Sequence, residues 1–210
     1  MVASSFVDPL LLDTIPESGR ADAKVAMGAL GPPRFSTRAV LIQDTNKHVG
    51  FYPSIHVQGE VIRVPYRVNY DWPSRERKSP FTTMQLLIIA CWMSRHHNGK
   101  LRQKGLRHIL RSDLDVPWTI PFVIQLCGEY VIEIGSDVLT FVTNSLPTRP
   151  NLRRDYAQFV HDNPEFMSIT RQRAESYWLA YHRHQLPKKQ YPQFQAVEAV
   201  TALAAEPLLV

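Results

Sequence analysis

From residue 80 onward apolar positions recur every three or four residues, the period of helices. Ser79-Pro80 reads as a helix start, with serine as N-cap and proline at the first helical position. Met84, Leu87, Ile88, Cys91 and Trp92 then share one face, thickened by Leu86, Ile89, Ala90 and Met93. A helix apolar around most of its circumference belongs in a multi-helix core. His96-His97-Asn98-Gly99 breaks it, and Asn98 caps the next helix. There Leu101, Gly105, Leu106, Ile109 and Leu110 face inward, while Lys100, Lys104, Arg107 and Arg111 face outward. Thr119 is expected to cap a long central helix reaching about Thr143, polar only at Gln125, Glu129, Glu133, Asp137 and Thr140. Gly128 and Gly135 inside it cost about 1 kcal/mol each relative to alanine, a cost that close approach of a neighbouring helix would offset. Further helices are expected from Asn151 to about Asp162, from Asn163-Pro164-Glu165 to before Pro187, and from Phe194 to Ala205. The second of these turns Phe166, Ile169, Ala174, Tyr177, Trp178 and Tyr181 inward.

The first third has a different texture. Residues 1–35 carry Pro9, Pro16, Gly28, Gly31, Pro32 and Pro33 without a sustained period, and read as an arm, mobile or laid on the surface, that Leu10 to Leu12 anchors. Ala39-Val40-Leu41-Ile42 reads as a short strand. Over 61–68, Ile62, Val64, Tyr66 and Val68 alternate with Arg63, Pro65 and Arg67, the period of a half-buried extended segment. The expected fold class is mainly α: a compact multi-helix bundle with one helical hairpin and an extended N-terminal segment. Its expected parts are the arm 1–35, an extended segment 36–74, a helical domain 75–186 and a C-terminal amphipathic helix within 187–210.

Composition changes this picture little; charge changes it more. The chain has 210 residues, 44 % hydrophobic and 20 % charged, an ordinary globular mixture. No stretch resembles a membrane span, because Glu129, Glu133 and Asp137 interrupt the most apolar region, 114–148. The N-terminus lacks the basic start and cleavage pattern of a signal peptide. Two cysteines, Cys91 and Cys127, make no disulfide framework and point to a reducing, cytoplasmic setting. The net charge of +5 hides a block at 63–111 with eleven basic residues against two acidic ones, followed by 112–148 with five acidic residues and no Lys or Arg. Either the two blocks neutralise each other inside the fold, or the basic face attracts phosphate or an acidic partner.

Residues 94–110 resemble the second half of a HEAT-type helical repeat: a polar turn Asn98-Gly99, the pair Leu101-Arg102, small Gly105 and closing Ile109-Leu110. The resemblance implies that Arg102 ties turn carbonyls, that Gly105 admits the partner helix, and that the surface binds rather than catalyses. The turn from Arg95 to Lys100 and the stretch from Pro121 to Val131 also resemble an uncharacterised bacterial protein type with no assigned activity.

Each candidate for chemistry has a bland counterpart. His96-His97 at a helix end serves as a cap for the last carbonyls or as ligand or base. Glu129, Glu133 and Asp137 form a row that meets arginines, including Arg171 and Arg173, or else binds metal; the chain has no Glu-x-x-His of the di-iron type. Arg102 and His108 have a spacing similar to that of helical ribonucleases of the HEPN type. Arg75, Arg77 and Lys78 follow Tyr66, Tyr70 and Trp72, an interleaving suited to nucleic acid. Tyr177, Trp178 and Tyr181, with His182 and His184, form an aromatic stripe read as core rather than ligand cage. Cys127 is read as an inert core thiol. The expectation is a non-enzymatic interaction module without metal or cofactor, its partner another protein or, alternatively, RNA or DNA, with homo-oligomers possible. Its binding residues are expected to be Arg75, Arg77, Lys78, Arg95, His96, His97, Lys100, Arg102, Lys104 and Arg107.

Overall fold

The computed structural model describes residues 8–30, 39–40, 54–74 and 80–205. Its fold class is mainly α, in two compact units: Met1–Gln43 with Glu60–Leu114, and Asp44–Gly59 with Asp115–Val210. This division cuts across the expected helical domain 75–186. The expected strand residues Leu41 and Ile42 and the cap Ser79 lie outside the described residues.

In the first unit, α1 (Pro9–Leu12) leads through a 3-10 turn into α2 (Arg20–Met27). Asp8 caps α1, its Oδ1 accepting the Leu10 amide at 3.0 Å, while its Oδ2 accepts the Tyr70 hydroxyl at 2.7 Å. Residues 8–30 are therefore no free arm. Leu11, Ile15, Ala23 and Ala26 are fully enclosed, and Pro9 starts a helix where its missing N–H costs nothing. α3 (Thr83–Met93) begins with a capping box between Thr82 and Gln85, three residues beyond the expected Ser79 cap. Its apolar girth is packed against α2 and against α4 (Gly99–Leu110). Buried Trp92 donates from Nε1 to Thr14 Oγ1 at 2.9 Å, and Gln85 donates to Asp22 Oδ1 at 2.7 Å. Asn98 caps α4 as expected, accepting the Lys100 and Leu101 amides. The extended stretch contains β3 (Glu60–Ile62) and β4 (Arg67–Val68), which pairs antiparallel with β1 (Ala39–Val40). Ile62, Val64 and Val68 are buried and Arg63 exposed, as the alternation requires, but it lapses at Pro65, which is buried, and at Tyr66 and Arg67, which are both half-buried.

The second unit contains β2 (Ile55–Val57), which runs into a two-residue turn at Gln58-Gly59 with φ of 52° and 82°. Its helices are α5 (Ile120–Ile124), α6 (Ile132–Thr140), α7 (Pro150–Asp162), α8 (Pro164–Tyr177) and α9 (Pro192–Leu203). The single rod expected from Thr119 to Thr143 is instead α5, a 3-10 turn Gln125–Gly128, an extended break and α6. Thr119 gives no side-chain cap. The break is held open by side chains from far along the chain, which take its three carbonyls in succession. Tyr191 Oη donates to Glu129 O at 3.3 Å, His182 Nε2 lies 3.0 Å from Tyr130 O, and Gln193 Nε2 donates to Val131 O at 2.7 Å. Residues 118–128 nevertheless stay buried. α9 packs on α6 at Gly135, where a Cβ would fall 2.6–2.8 Å from Gln193. The close approach expected of that glycine is present.

Candidate functional site

The turn between α3 and α4 gathers several of the expected binding residues, and most are used internally. Arg95 is 1 % exposed; its Nε donates to Pro65 O and its Nη2 to Tyr66 O, both at 3.1 Å. These bonds and Val68 N to Arg95 O at 2.9 Å fasten the β4 segment to the helical turn. His96 is enclosed, with Nε2 2.9 Å from the Tyr70 carbonyl and Nδ1 accepting the Asn98 amide at 2.9 Å. Those partners define the neutral tautomer protonated on Nε2, so His96 bridges the helical turn and the Tyr70 segment. Arg102 is 1 % exposed and its Nη1 donates to the carbonyls of His96 and His97 at 2.9 and 3.1 Å. Gly105 lies so near the end of α3 that a Cβ would stand 2.5 Å from Ser94 N and 2.7 Å from Met93 C. Arg95, His96 and Arg102 are thus framework, which removes them from the expected contact surface.

On the outer side of α4, Lys100, Lys104, Arg107 and Arg111 are exposed at steps of four, three and four, one stripe on a helix with no acidic residue. Trp72 lies along it: Lys104 Nζ sits 4.2 Å from a ring centroid of Trp72, and the His108 ring stacks at 5.8 Å and 29°. Arg67 covers Tyr66 in the same way at 4.1 Å. Trp72 is therefore already covered by Lys104 and His108, and the stripe offers charge rather than a bare stacking platform. His97 is exposed beside it, its ring 4.2 Å from that of His96. Arg102 is enclosed while His108 faces solvent, so the ribonuclease-like pair shares no open surface. Arg75, Arg77 and Lys78 lie outside the described residues.

In the second unit the expected acidic row is split by the break: Glu129 is buried, while Glu133 and Asp137 sit on α6, Glu133 exposed and Asp137 half-buried. Arg171 pairs with Glu198 at 2.7 Å and Arg149 with Asp115. Among the described residues no group of three or more His, Cys, Asp or Glu is arranged to hold a metal ion. Burial pushes the Cys127 thiol up to about 12 and raises Cys91 as well, leaving both as unreactive thiols. Tyr181, expected inward, is 62 % exposed. A π-helical turn over Trp178–His182, closed by Arg183 N to Trp178 O at 2.9 Å, adds a residue to the turn and rotates Tyr181 outward. It joins Tyr130 and Tyr177 in a cluster with centroids 5.8–6.1 Å apart.

Sequence reasoning missed Asp155 and Asp162 on α7, which line a cleft with the β2 turn. The signal was available: both carboxylates are in phase with Leu152 and Phe159 on the apolar side of that helix. Among the described residues no helix is long and apolar enough to cross a membrane. No protein-family model matches this chain, and neither the curated proteins nor the solved structures compared with it give a significant match.

Proposed function

We propose that this chain is a non-enzymatic binding module whose working surface is the cationic side of α4 and whose ligand is the phosphate backbone of nucleic acid. One observation carries the reading. Lys100, Lys104, Arg107 and Arg111 stand exposed on a single face of a helix free of carboxylates, while the arginines that hold the turn, Arg95 and Arg102, are withdrawn from that face. Backbone contact suits a site whose tryptophan is already covered by Lys104 and His108, because phosphate recognition needs cations and no stacked base. Four phosphate contacts give a logarithmic salt slope of about −3 to −4 and roughly a hundredfold loss of affinity between 50 and 200 mM salt. Fluorescence anisotropy of a labelled duplex over that salt series tests the reading; absent or salt-insensitive binding refutes it.

A second reading, capture of another protein, is favoured by the exposed Tyr130, Leu179 and Tyr181, side chains of the kind that anchor protein interfaces. On that reading Tyr181→Ala weakens capture and the charge of α4 is immaterial.

A further inference from the structure

Asp155 and Asp162 are seven residues apart on α7, so they project from the same side of the helix about 10 Å apart along its axis. Both line a cleft of about 110 Å³, whose apolar lining is Val57, Pro117, Ile120 and Phe159 and whose other polar lining is His56, Gln58 and Gln158. Asn163, directly after Asp162, fixes the facing strand. Its Oδ1 accepts the His56 amide and its Nδ2 donates to the His56 carbonyl, both at 2.8 Å. A third bond, from Nδ2 to Phe159 O at 2.9 Å, ties the same side chain to α7. The walls are thus tied together before any ligand arrives, which lowers the ordering cost of binding.

We propose that this cleft binds a linear aliphatic polyamine, its terminal ammonium groups on Asp155 and Asp162 and its methylenes along the apolar lining. Asp155 is half-buried, and among the described residues no hydrogen bond or ion pair reaches its carboxylate. Burial, with a smaller contribution from the nearby charge of Asp115, raises its pKa, while Arg154 acts in the opposite direction. An ammonium group seated there supplies the missing counter-charge. Asp162 is different: His161 at 3.0 Å and the Gln158 amide at 2.8 Å both engage Oδ1. They hold this carboxyl below its usual range, and Oδ2 is left for a second cation. Two anions in a cleft that also carries Val57, Ile120 and Phe159 select a ligand with two cations joined by an apolar chain. A single amine satisfies one end, and a neutral diol neither.

Isothermal titration of the full chain with spermidine tests this, beside n-butylamine and 1,8-octanediol. The expected result is saturable binding of spermidine at one per chain, at least tenfold weaker binding of the monoamine and none of the diol. Asp155→Asn and Asp162→Asn should each weaken spermidine binding at least tenfold, while Glu133→Gln, an exposed acid away from the cleft, leaves it unchanged. Circular dichroism confirms that the variants remain folded. No heat with spermidine, equal affinity for the monoamine, or a Glu133→Gln loss as large as those of the cleft variants overturns the proposal. So does an unchanged isotherm in both cleft variants.

Discussion

α4 and α7 are nearly equal in length, 12 and 13 residues, and both are amphipathic, yet they use charge in opposite ways. On α4 the charges out of phase with the apolar side form the exposed stripe, and the one in phase with it, Arg102, is swallowed and put to structural use. On α7 the two carboxylates in phase with the apolar side, Asp155 half-buried and Asp162 exposed, form no stripe; they line a cleft. Sign and number of charges in a segment therefore say little about their use. Phase says more, because it decides whether a charge meets water, backbone or a cavity.

The sharpest break in the comparison comes at the α3–α4 contact. Gly105→Ala drives a methyl into backbone atoms of α3 that cannot swing aside; urea unfolding should register a loss of about 3 kcal/mol, the upper range for overpacking. Arg102→Met removes a buried charged donor from the carbonyls of His96 and His97, with an expected loss of about 2–3 kcal/mol. Lys104→Ala on the same helix should stay within about 0.5 kcal/mol, as exposed positions do. Equal losses at Arg102 and Lys104 would erase the distinction between frame and surface.

The same distinction predicts function. Lys100→Glu with Lys104→Glu should lower duplex affinity more than tenfold and reduce the salt slope by about 2, since two phosphate contacts are lost. Stability should hold, because both side chains are exposed. A double variant that binds as tightly as the parent moves the site away from α4 and hands the question to the Tyr130–Tyr181 cluster.

What could be read in advance was local. The Asn98 cap, the inward Gly105, Leu106 and Ile109, and the alternation from Ile62 to Val64 each rest on residues within one or two turns of each other. What could not be read rests on partners far along the chain. The break at Glu129–Val131 exists because Tyr191, His182 and Gln193, more than fifty residues away, supply donors to its carbonyls. Residues 8–30 look like loose Pro- and Gly-punctuated chain until Asp8 meets Tyr70 and Thr14 meets Trp92. Of the candidate site, the exposed lysines were legible from the helical period. Arg95 and His96 were not, since a turn has no period from which to read which side chains it encloses. Arg102 was legible in principle, four and seven residues before the buried Leu106 and Ile109, by the same signal that marks Asp155.

The smallest expected effect is the most specific, because the two carboxylates of α7 should respond to pH with opposite signs. Asp155 has a folded-state pKa above that of the unfolded chain, so the folded protein binds its proton more tightly than the unfolded chain does. That contribution to stability is present below the unfolded pKa and is lost as pH rises through the folded value. At neutral pH the ionised group is a burden, and Asp155→Asn should raise the melting temperature slightly, an advantage that fades as the medium is acidified. Asp162 has a depressed folded pKa through its bonds to His161 and Gln158. Its contribution is present above the unfolded pKa and is lost as pH falls through the folded value, so Asp162→Asn should lower the neutral-pH melting temperature and matter little in acid. Both groups are substantially solvated, so each shift is small, but the signs are independent of the magnitudes. Thermal melts of the two variants at neutral and acidic pH read them directly, and shifts of the same sign would mean that the cleft treats its two carboxylates alike.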